Sequence, residues 1–160
     1  MLQIDPRTPV PARLALYRRI AQEGASSSLV QRCAARAIQA REPWERCAAI
    51  LRATQDVTRY VPDPPGPDLV WSPQETLLAG GDCEDLAILG ASIAHAAGVP
   101  FLIAWLDLSK DVAPQAHVSL LLWRGDGWAW AEACEDSAQL GEHPLDVAAR
   151  LGPSSRRRFV

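Results

Sequence analysis

Three residues whose side chains suit nucleophilic catalysis, Cys83, His117 and Glu132, follow one another along the chain. Cys83 lies in the segment Gly81–Asp85, where the sequence predicts that a Gly-rich turn passes into a helix. A cysteine at a helix N-terminus feels the positive end of the helix dipole, which lowers the pKa of its thiol. Because the thiolate is the nucleophile, this position predicts that Cys83 attacks a carbonyl carbon.

His117 and Glu132 lie in two segments that are predicted as neighbouring strands. An imidazole can take the proton of a nucleophile, and a carboxylate can hold that imidazole in the correct orientation. The order nucleophile, base and carboxylate therefore predicts a thiol acyl-transfer site. Glu135 and Asp136 compete for the third position, and Glu132 is the preferred candidate.

Three acidic residues surround the predicted nucleophile, namely Asp82, Glu84 and Asp85. Their negative charge should oppose thiolate formation at Cys83, so an imidazolium at His117 has to outweigh it. Acids in the first turn of a helix also stabilise the helix dipole and bond free backbone N–H groups. We interpret Asp85 as structural and Asp82 as a residue that shapes the turn.

The N-terminal part of the chain is predicted to be helical. Apolar residues at helical spacing indicate helices at about residues 11–23 and 28–41, and a third that begins at Pro43. The third helix is expected to bury one face, formed by Trp44, Cys47, Ile50, Leu51 and Thr54. The segment 62–70 contains four prolines and is predicted as a rigid loop that is neither strand nor helix.

The elements around Cys83 follow from local patterns. Ser72 and Glu75 have the spacing of a capping box, in which each side chain accepts the backbone N–H of the other residue. This pattern predicts a short helix ahead of the turn. The helix that starts at Cys83 is expected to run to about Ala97. Small residues recur along it at helical spacing and should lie close against a sheet: Ala87, Gly90, Ala91 and Ala94.

The sheet is predicted from three apolar segments at residues 99–108, 116–123 and 128–134. A hairpin turn at Arg124–Gly127 joins the last two, and a short helix is expected at about 144–151. Strand alternation places Trp128 and Trp130 on one face, which suits either a core or a groove for a carbohydrate or peptide.

Composition and length limit the classes of protein. At 160 residues the chain is predicted to be a single domain, 1–160, and its net charge of −3 gives no case for a nucleic-acid partner. The basic segment Arg156–Arg158 is interpreted as a solvated end. We find no signal peptide and no apolar run that could span a membrane. Four cysteines in such a chain suggest reduced thiols and synthesis in the cytoplasm.

The run WSPQETLLAGGDCEDLAILGASIAHAAGVP, residues 71–100, resembles the catalytic core of the transglutaminase-like superfamily. It is similar to the small bacterial and phage transglutaminase-like cysteine peptidases. The upstream segment Arg59–Pro64, the strand Trp128–Glu132 and the segment Gln139–Pro144 also resemble parts of those proteins, so the resemblance covers roughly residues 44–147. In this superfamily the third catalytic residue is usually Asp, and here it is Glu132.

The resemblance implies an α+β, papain-like fold with N-terminal helices (1–60) and a catalytic core (71–147), in which the catalytic helix packs on an antiparallel sheet. It implies a Cys83–His117–Glu132 triad that cleaves a peptide or side-chain amide of a protein substrate through an acyl-enzyme, with no cofactor. The backbone N–H of Cys83 would be one oxyanion donor, and the segment around Trp71 or Gln74 would supply the other.

Two alternatives remain open at this point. The chain could be a structural component of a phage virion, at the tail tip or head–tail junction, that binds other phage proteins through its termini and has little activity. A metal site could also be formed by Cys83, His117, Cys134 and His143. The sequence has no Cys-x-x-Cys or His-x-x-x-His pair, so we predict no metal site and interpret Cys33, Cys47 and Cys134 as small buried hydrophobes.

Overall fold

The computed structural model of the protein describes residues 1–66, 68–107 and 116–151. The helices and strands in these ranges follow in the order β1 Leu2–Ile4, α1 Val10–Gly24, α2 Ser28–Gln39, α3 Pro43–Val57, β2 Asp68–Val70, α4 Pro73–Ala79, α5 Cys83–Ala96, β3 Phe101–Asp107, β4 Ala116–Trp123, β5 Trp128–Ala131 and α6 Pro144–Leu151. The predicted α+β class is therefore confirmed. Within these ranges, no helix combines the length and apolar character needed to cross a bilayer.

Helix α5 is the centre of the molecule and is surrounded by other elements. It packs against α1, α2, α3 and α4 and against strands β3 and β4. Its small residues make this close packing possible: a Cβ at Gly90 would lie only 2.9 Å from Leu120 Cδ2 and 3.3 Å from Thr54 Oγ1. Ala91 on the same helix is fully buried. The prediction that the small-residue face packs on a sheet is confirmed.

The main sheet is antiparallel, with strand order β3-β4-β5. Its register pairs Trp105 with Val118 and Leu120 with Ala131. The predicted hairpin turn between β4 and β5 is present, and Arg124 N–H donates to the Gly127 carbonyl at 3.0 Å. Strand β5 ends at Ala131, three residues earlier than predicted. Glu132, the next residue, therefore lies at the point where the chain leaves the sheet.

Strand β2 contradicts the prediction that the whole of segment 62–70 is a loop. Its residues Asp68–Val70 pair antiparallel with Leu2–Ile4 of β1. The pairing is possible because these three residues are not prolines and can donate to a ladder. Val70 is 1% exposed, and Arg13 of α1 forms an ion pair with Asp68. The residues that stabilise β2 come from distant parts of the chain. The local proline content therefore did not predict this strand.

Helix α3 buries most of the predicted face, but Trp44 is a correction. Its side chain is 57% exposed, whereas Cys47 and Ile50 are fully buried. The first turn of α3 extends past the core towards the β4–β5 hairpin, where Pro43 lies against Gly125. The remaining apolar and small residues of this face reach the core because they lie further along the helix.

The N-terminus is fixed by contacts within the chain. The Met1 ammonium group bonds both carboxylate oxygens of Glu75, at 2.8 and 2.7 Å, and lowers the pKa of that carboxyl to about 2. Glu75 also completes the predicted capping box with Ser72 at the start of α4. The predicted solvated segment Arg156–Arg158 lies outside the described residues.

Candidate active site

Cys83 is the first residue of α5, and the turn before it is held from two sides. Gly81 N–H donates to the Arg59 carbonyl at 3.3 Å, and Val61 N–H donates back to the Gly81 carbonyl at 2.8 Å. A side chain at Gly81 is excluded, because its Cβ would lie 2.4 Å from the Cβ of Asp85. The glycine is therefore required by close packing, and the turn delivers Cys83 in one orientation.

The thiol of Cys83 donates to Glu84 Oε2 across 3.2 Å. Burial raises the pKa of Cys83 well above its ordinary value, and the charges of Glu84 and Asp82 raise it further. A backbone hydrogen bond from Val118 acts in the opposite direction. The expectation that the helix dipole lowers this pKa is thus wrong for this structure, because desolvation and neighbouring carboxyls outweigh the dipole.

In the cluster of acidic residues around Cys83, Glu84 and Asp85 are buried and Asp82 is half-buried. Burial raises the pKa of Asp82 and of Glu84, and it raises the pKa of Asp85 to about 8. Asp85 Oδ1 accepts the backbone N–H of Trp71 at 2.8 Å, as expected of a structural residue. That N–H is therefore engaged, so an oxyanion contact from Trp71 would have to use its indole.

Two oxygens of this cluster, Asp82 Oδ1 and Asp85 Oδ2, are buried without a hydrogen-bond partner in the part of the chain that the structure describes. Ligand atoms of Asp82, Cys83 and Glu84 also lie within 4.8 Å of one another. Carboxylate oxygens are the ligands that hard divalent cations prefer. These residues are therefore able to hold such a cation beside the thiol.

His117 and Glu132 are joined directly. His117 Nε2 lies 2.7 Å from Glu132 Oε2, and each side chain is 1% exposed. Burial alone would raise the pKa of Glu132, but the imidazole beside it holds that pKa below its ordinary value. The other carboxylate oxygen accepts the backbone N–H of Cys134 at 2.8 Å. Glu132, rather than Glu135 or Asp136, thus occupies the position on Nε2.

The role of Gln55 was not predicted from the sequence. Its Nε2 donates to the carbonyls of Glu135 at 2.9 Å and Ala138 at 3.1 Å, and lies 3.4 Å from the carbonyl of Glu132. It thereby fixes the segment that carries the carboxylate. The only signal was its spacing, since Gln55 comes four residues after Leu51 and thus falls on the buried side of α3.

Cys83 and Glu132 line one narrow crevice where α5 meets the sheet, together with Val118, Ser119 and Cys134. The structure therefore brings the nucleophile and the carboxylate of the predicted triad to the same place. The thiol proton is donated to Glu84 here. Direct contact between the Cys83 sulfur and a His117 nitrogen stays a prediction.

A second group of possible metal ligands differs from the one considered in the sequence. Ligand atoms of His117, Glu132 and Cys134 lie within 4.8 Å of one another. His143 instead packs its ring edge-on against Trp130, with ring centroids 4.9 Å apart. Glu132 therefore takes part in this donor set, whereas His143 has a packing role.

The comparisons with known proteins support the fold. No family model and no curated protein matches the sequence. The structure is similar to that of a protein from Cytophaga hutchinsonii that is assigned as a cysteine protease, with a TM-score of 0.53 and 16% identity. The match covers 92% of this chain and 53% of that chain, so this chain spans about half of its length.

A second similar structure is EGTA-treated LapG of Legionella pneumophila, with a TM-score of 0.54 and 19% identity. The match covers 83% of this chain and 76% of that chain. The predicted fold, a papain-like and transglutaminase-like core, is confirmed.

Proposed function

We propose that this protein is a transglutaminase-like cysteine peptidase or amidase, in which Cys83, His117 and Glu132 cleave a peptide or side-chain amide. The observation that carries the proposal is the buried 2.7 Å contact between His117 Nε2 and Glu132 Oε2, beside a crevice that Cys83 also lines. A carboxylate on Nε2 fixes the tautomer and the plane of the ring. Proton exchange with the thiol is then assigned to Nδ1.

The reaction begins when the Cys83 thiol exchanges its hydrogen bond to Glu84 for one to His117. The proton that Cys83 donates to Glu84 in the resting structure moves instead to Nδ1 of His117, and the sulfur attacks the carbonyl carbon. The backbone N–H of Cys83 donates to the developing oxyanion. The imidazolium, stabilised by Glu132, gives its proton to the leaving amine, and the C–N bond breaks.

Hydrolysis of the acyl-enzyme uses the same residues. His117 takes a proton from water, the hydroxide adds to the thioester carbonyl, and the thiol leaves with that proton. Because the pKa of Cys83 is raised, the resting thiol is neutral, and proton transfer accompanies attack. We favour hydrolysis over cross-linking, since nothing in the chain identifies a site for an acceptor amine.

The test is covalent labelling followed by a cleavage screen. Wild-type protein, Cys83→Ala and the control Cys33→Ser are treated with a peptide that carries a thiol-reactive ketone, and the labelled peptide is mapped by mass spectrometry. A peptide library then reports cleavage. Parallel samples contain EGTA or added Ca²⁺, because the LapG structure is of EGTA-treated protein and the carboxyls near Cys83 can hold a cation.

Labelling and cleavage that are present in wild type and Cys33→Ser and absent in Cys83→Ala would support the proposal. Cleavage that persists in Cys83→Ala would refute it. We also propose that the chain is one domain and is synthesised in the cytoplasm with reduced thiols. The alternative of a virion component stays a prediction, and the search for this protein in purified particles tests it.

A further inference from the structure

A buried thiol beside the proposed triad has no part in the mechanism. Cys134 is 3% exposed and follows Glu132 by two residues. Glu132 Oε1 accepts the N–H of Cys134, and ligand atoms of these two residues and of His117 lie within 4.8 Å of one another. The thiol is therefore placed where the imidazole and the carboxylate meet.

The donor atoms in this place match one class of metal. Imidazole nitrogen, carboxylate oxygen and thiolate sulfur are the three ligand types of Zn²⁺ sites in proteins. Ligand atoms of His117, Glu132 and Cys134 lie within 4.8 Å of one another. Tetrahedral coordination at normal Zn–ligand lengths requires these atoms to be roughly 3.3–3.6 Å apart, so the 2.7 Å contact between His117 Nε2 and Glu132 Oε2 has to lengthen, and the Cys134 sulfur has to approach by about 1 Å.

We propose that His117, Glu132 and Cys134 form a binding site for Zn²⁺, and that the bound ion blocks the proposed triad. Binding replaces the His117–Glu132 hydrogen bond by coordination of both groups. The proton on His117 Nε2 moves to Nδ1, which frees the Nε2 lone pair for the Zn–N bond, and the thiol of Cys134 loses its proton to solvent as the Zn–S bond forms. The blocking effect rests on the proposed function, whereas binding of the ion does not.

The surroundings of these ligands favour a defined site. Gln55 holds the carbonyls of residues 132, 135 and 138, and thereby the segment that carries two of the three ligands. The N–H of Cys134 orients Glu132 Oε1. Such outer contacts raise metal affinity because they fix the ligands before the ion arrives. Cys83 lines the same crevice as Cys134, so an ion bound by these ligands lies beside the proposed nucleophile.

The experiment uses Co²⁺ as a spectroscopic substitute for Zn²⁺ on the full, reduced chain. A thiolate ligand gives bound Co²⁺ a charge-transfer absorption band in the near ultraviolet. Added Zn²⁺ displaces the Co²⁺ and removes the band. We expect one equivalent of Co²⁺ to produce the band in wild type, in Cys83→Ser and in the control Cys33→Ser. In Cys134→Ser the band should be lost and the affinity for Zn²⁺ should fall about tenfold or more.

Two outcomes would overturn the site. The first is that no thiolate band forms in wild type. The second is that Cys83→Ser loses the band while Cys134→Ser keeps it, because the ion then occupies the Asp82–Cys83–Glu84 group. Glu132→Gln, which keeps both thiols, serves as a second variant and should also bind Zn²⁺ about tenfold more weakly.

Thermal unfolding without metal checks that each variant is folded. The experiments can refute the proposed peptidase function and the proposed metal site independently. Co²⁺ binding that requires Cys134, with no labelling of Cys83 by the reactive ketone, leaves the metal site in place and removes the peptidase proposal.

Discussion

His117 and Glu132 form a buried pair in which Nε2 lies 2.7 Å from Oε2, and the second oxygen of the same carboxylate receives the N–H of Cys134 at 2.8 Å. The carboxylate therefore has a partner on each oxygen. This arrangement makes Glu132 important for stability as well as for the orientation of the imidazole.

Removal of the carboxylate should destabilise the protein. Glu132→Ala removes the acceptor that His117 Nε2 and the Cys134 N–H share, so the free energy of unfolding should fall by about 3–5 kcal/mol. Glu132→Gln keeps an acceptor and should cost about 1–3 kcal/mol. Urea denaturation measures both. The control Glu23→Gln, in an exposed pair with Arg19, should change stability by less than about 1 kcal/mol. Equal effects of Glu132→Ala and Glu23→Gln would contradict the buried pair.

Cys83 should be alkylated by iodoacetamide at neutral pH before Cys33, although burial raises the pKa of both thiols. The reason is that only Cys83 has His117 as a proposed proton acceptor. His117→Ala should remove this advantage and lower amide cleavage by about 10²–10⁴-fold. Mass spectrometry of timed samples gives the labelling order. Faster labelling of Cys33 in the wild type would count against His117 as the base.

Stability should fall as the pH rises from about 4 to 8 because Asp85 is buried. Burial raises its folded-state pKa to about 8, above the ordinary value of 3.8. The stabilisation linked to the neutral carboxyl is thus complete below pH 3.8 and is lost as the pH approaches 8. The expected difference in unfolding free energy is on the order of a few kcal/mol.

Melting temperatures at pH 5 and pH 8.5 test this dependence, with EGTA present so that no cation neutralises the acidic cluster. Asp85→Asn cannot ionise, so the difference between the two melting temperatures should shrink. The pKa of Glu132 is lowered, so its effect on stability falls at more acidic pH and does not alter the comparison between pH 5 and pH 8.5. A variant with the same pH dependence as wild type would show that Asp85 is ionised in the folded protein.

Ala91→Leu should overpack the interface of α5, because Ala91 is fully buried. The expected cost is about 1–3 kcal/mol of unfolding free energy. Cys83 starts the same helix, so a shift of about 1 Å would also lower Cys83-dependent activity about a hundredfold. Ala15→Leu, on an exposed position of α1, is the control and should leave the activity unchanged. An unchanged melting temperature in Ala91→Leu would refute the packing described for this helix.

Features set by neighbouring residues were predictable from the sequence. Ser72 and Glu75 form the predicted capping box, and Cys83 starts the predicted helix. The hairpin between β4 and β5 also follows from its turn residues. In each case the pattern and the structure involve residues within a few positions of one another, so local backbone preferences decide the outcome.

Features that depend on distant partners were not predictable. Strand β2 exists because Leu2–Ile4 pairs with Asp68–Val70, a contact that local proline content cannot reveal. Cys83 is half-buried, and its raised pKa depends on which distant residues cover the thiol and which carboxyls lie beside it. A helix start alone predicts the opposite direction. Burial is a property of the assembled core, and one sequence pattern does not determine it.

The hydrogen bonds of Gln55 limit how far the chain can be truncated without loss of support for the candidate site. Its amide connects helix α3, in the predicted helical part, to the carbonyls that follow β5 in the predicted catalytic core. A recombinant fragment limited to residues 71–147 would keep all three proposed catalytic residues but lose this amide. The first half of the chain is therefore not a removable appendage, and protein prepared for assays and crystallisation should retain it.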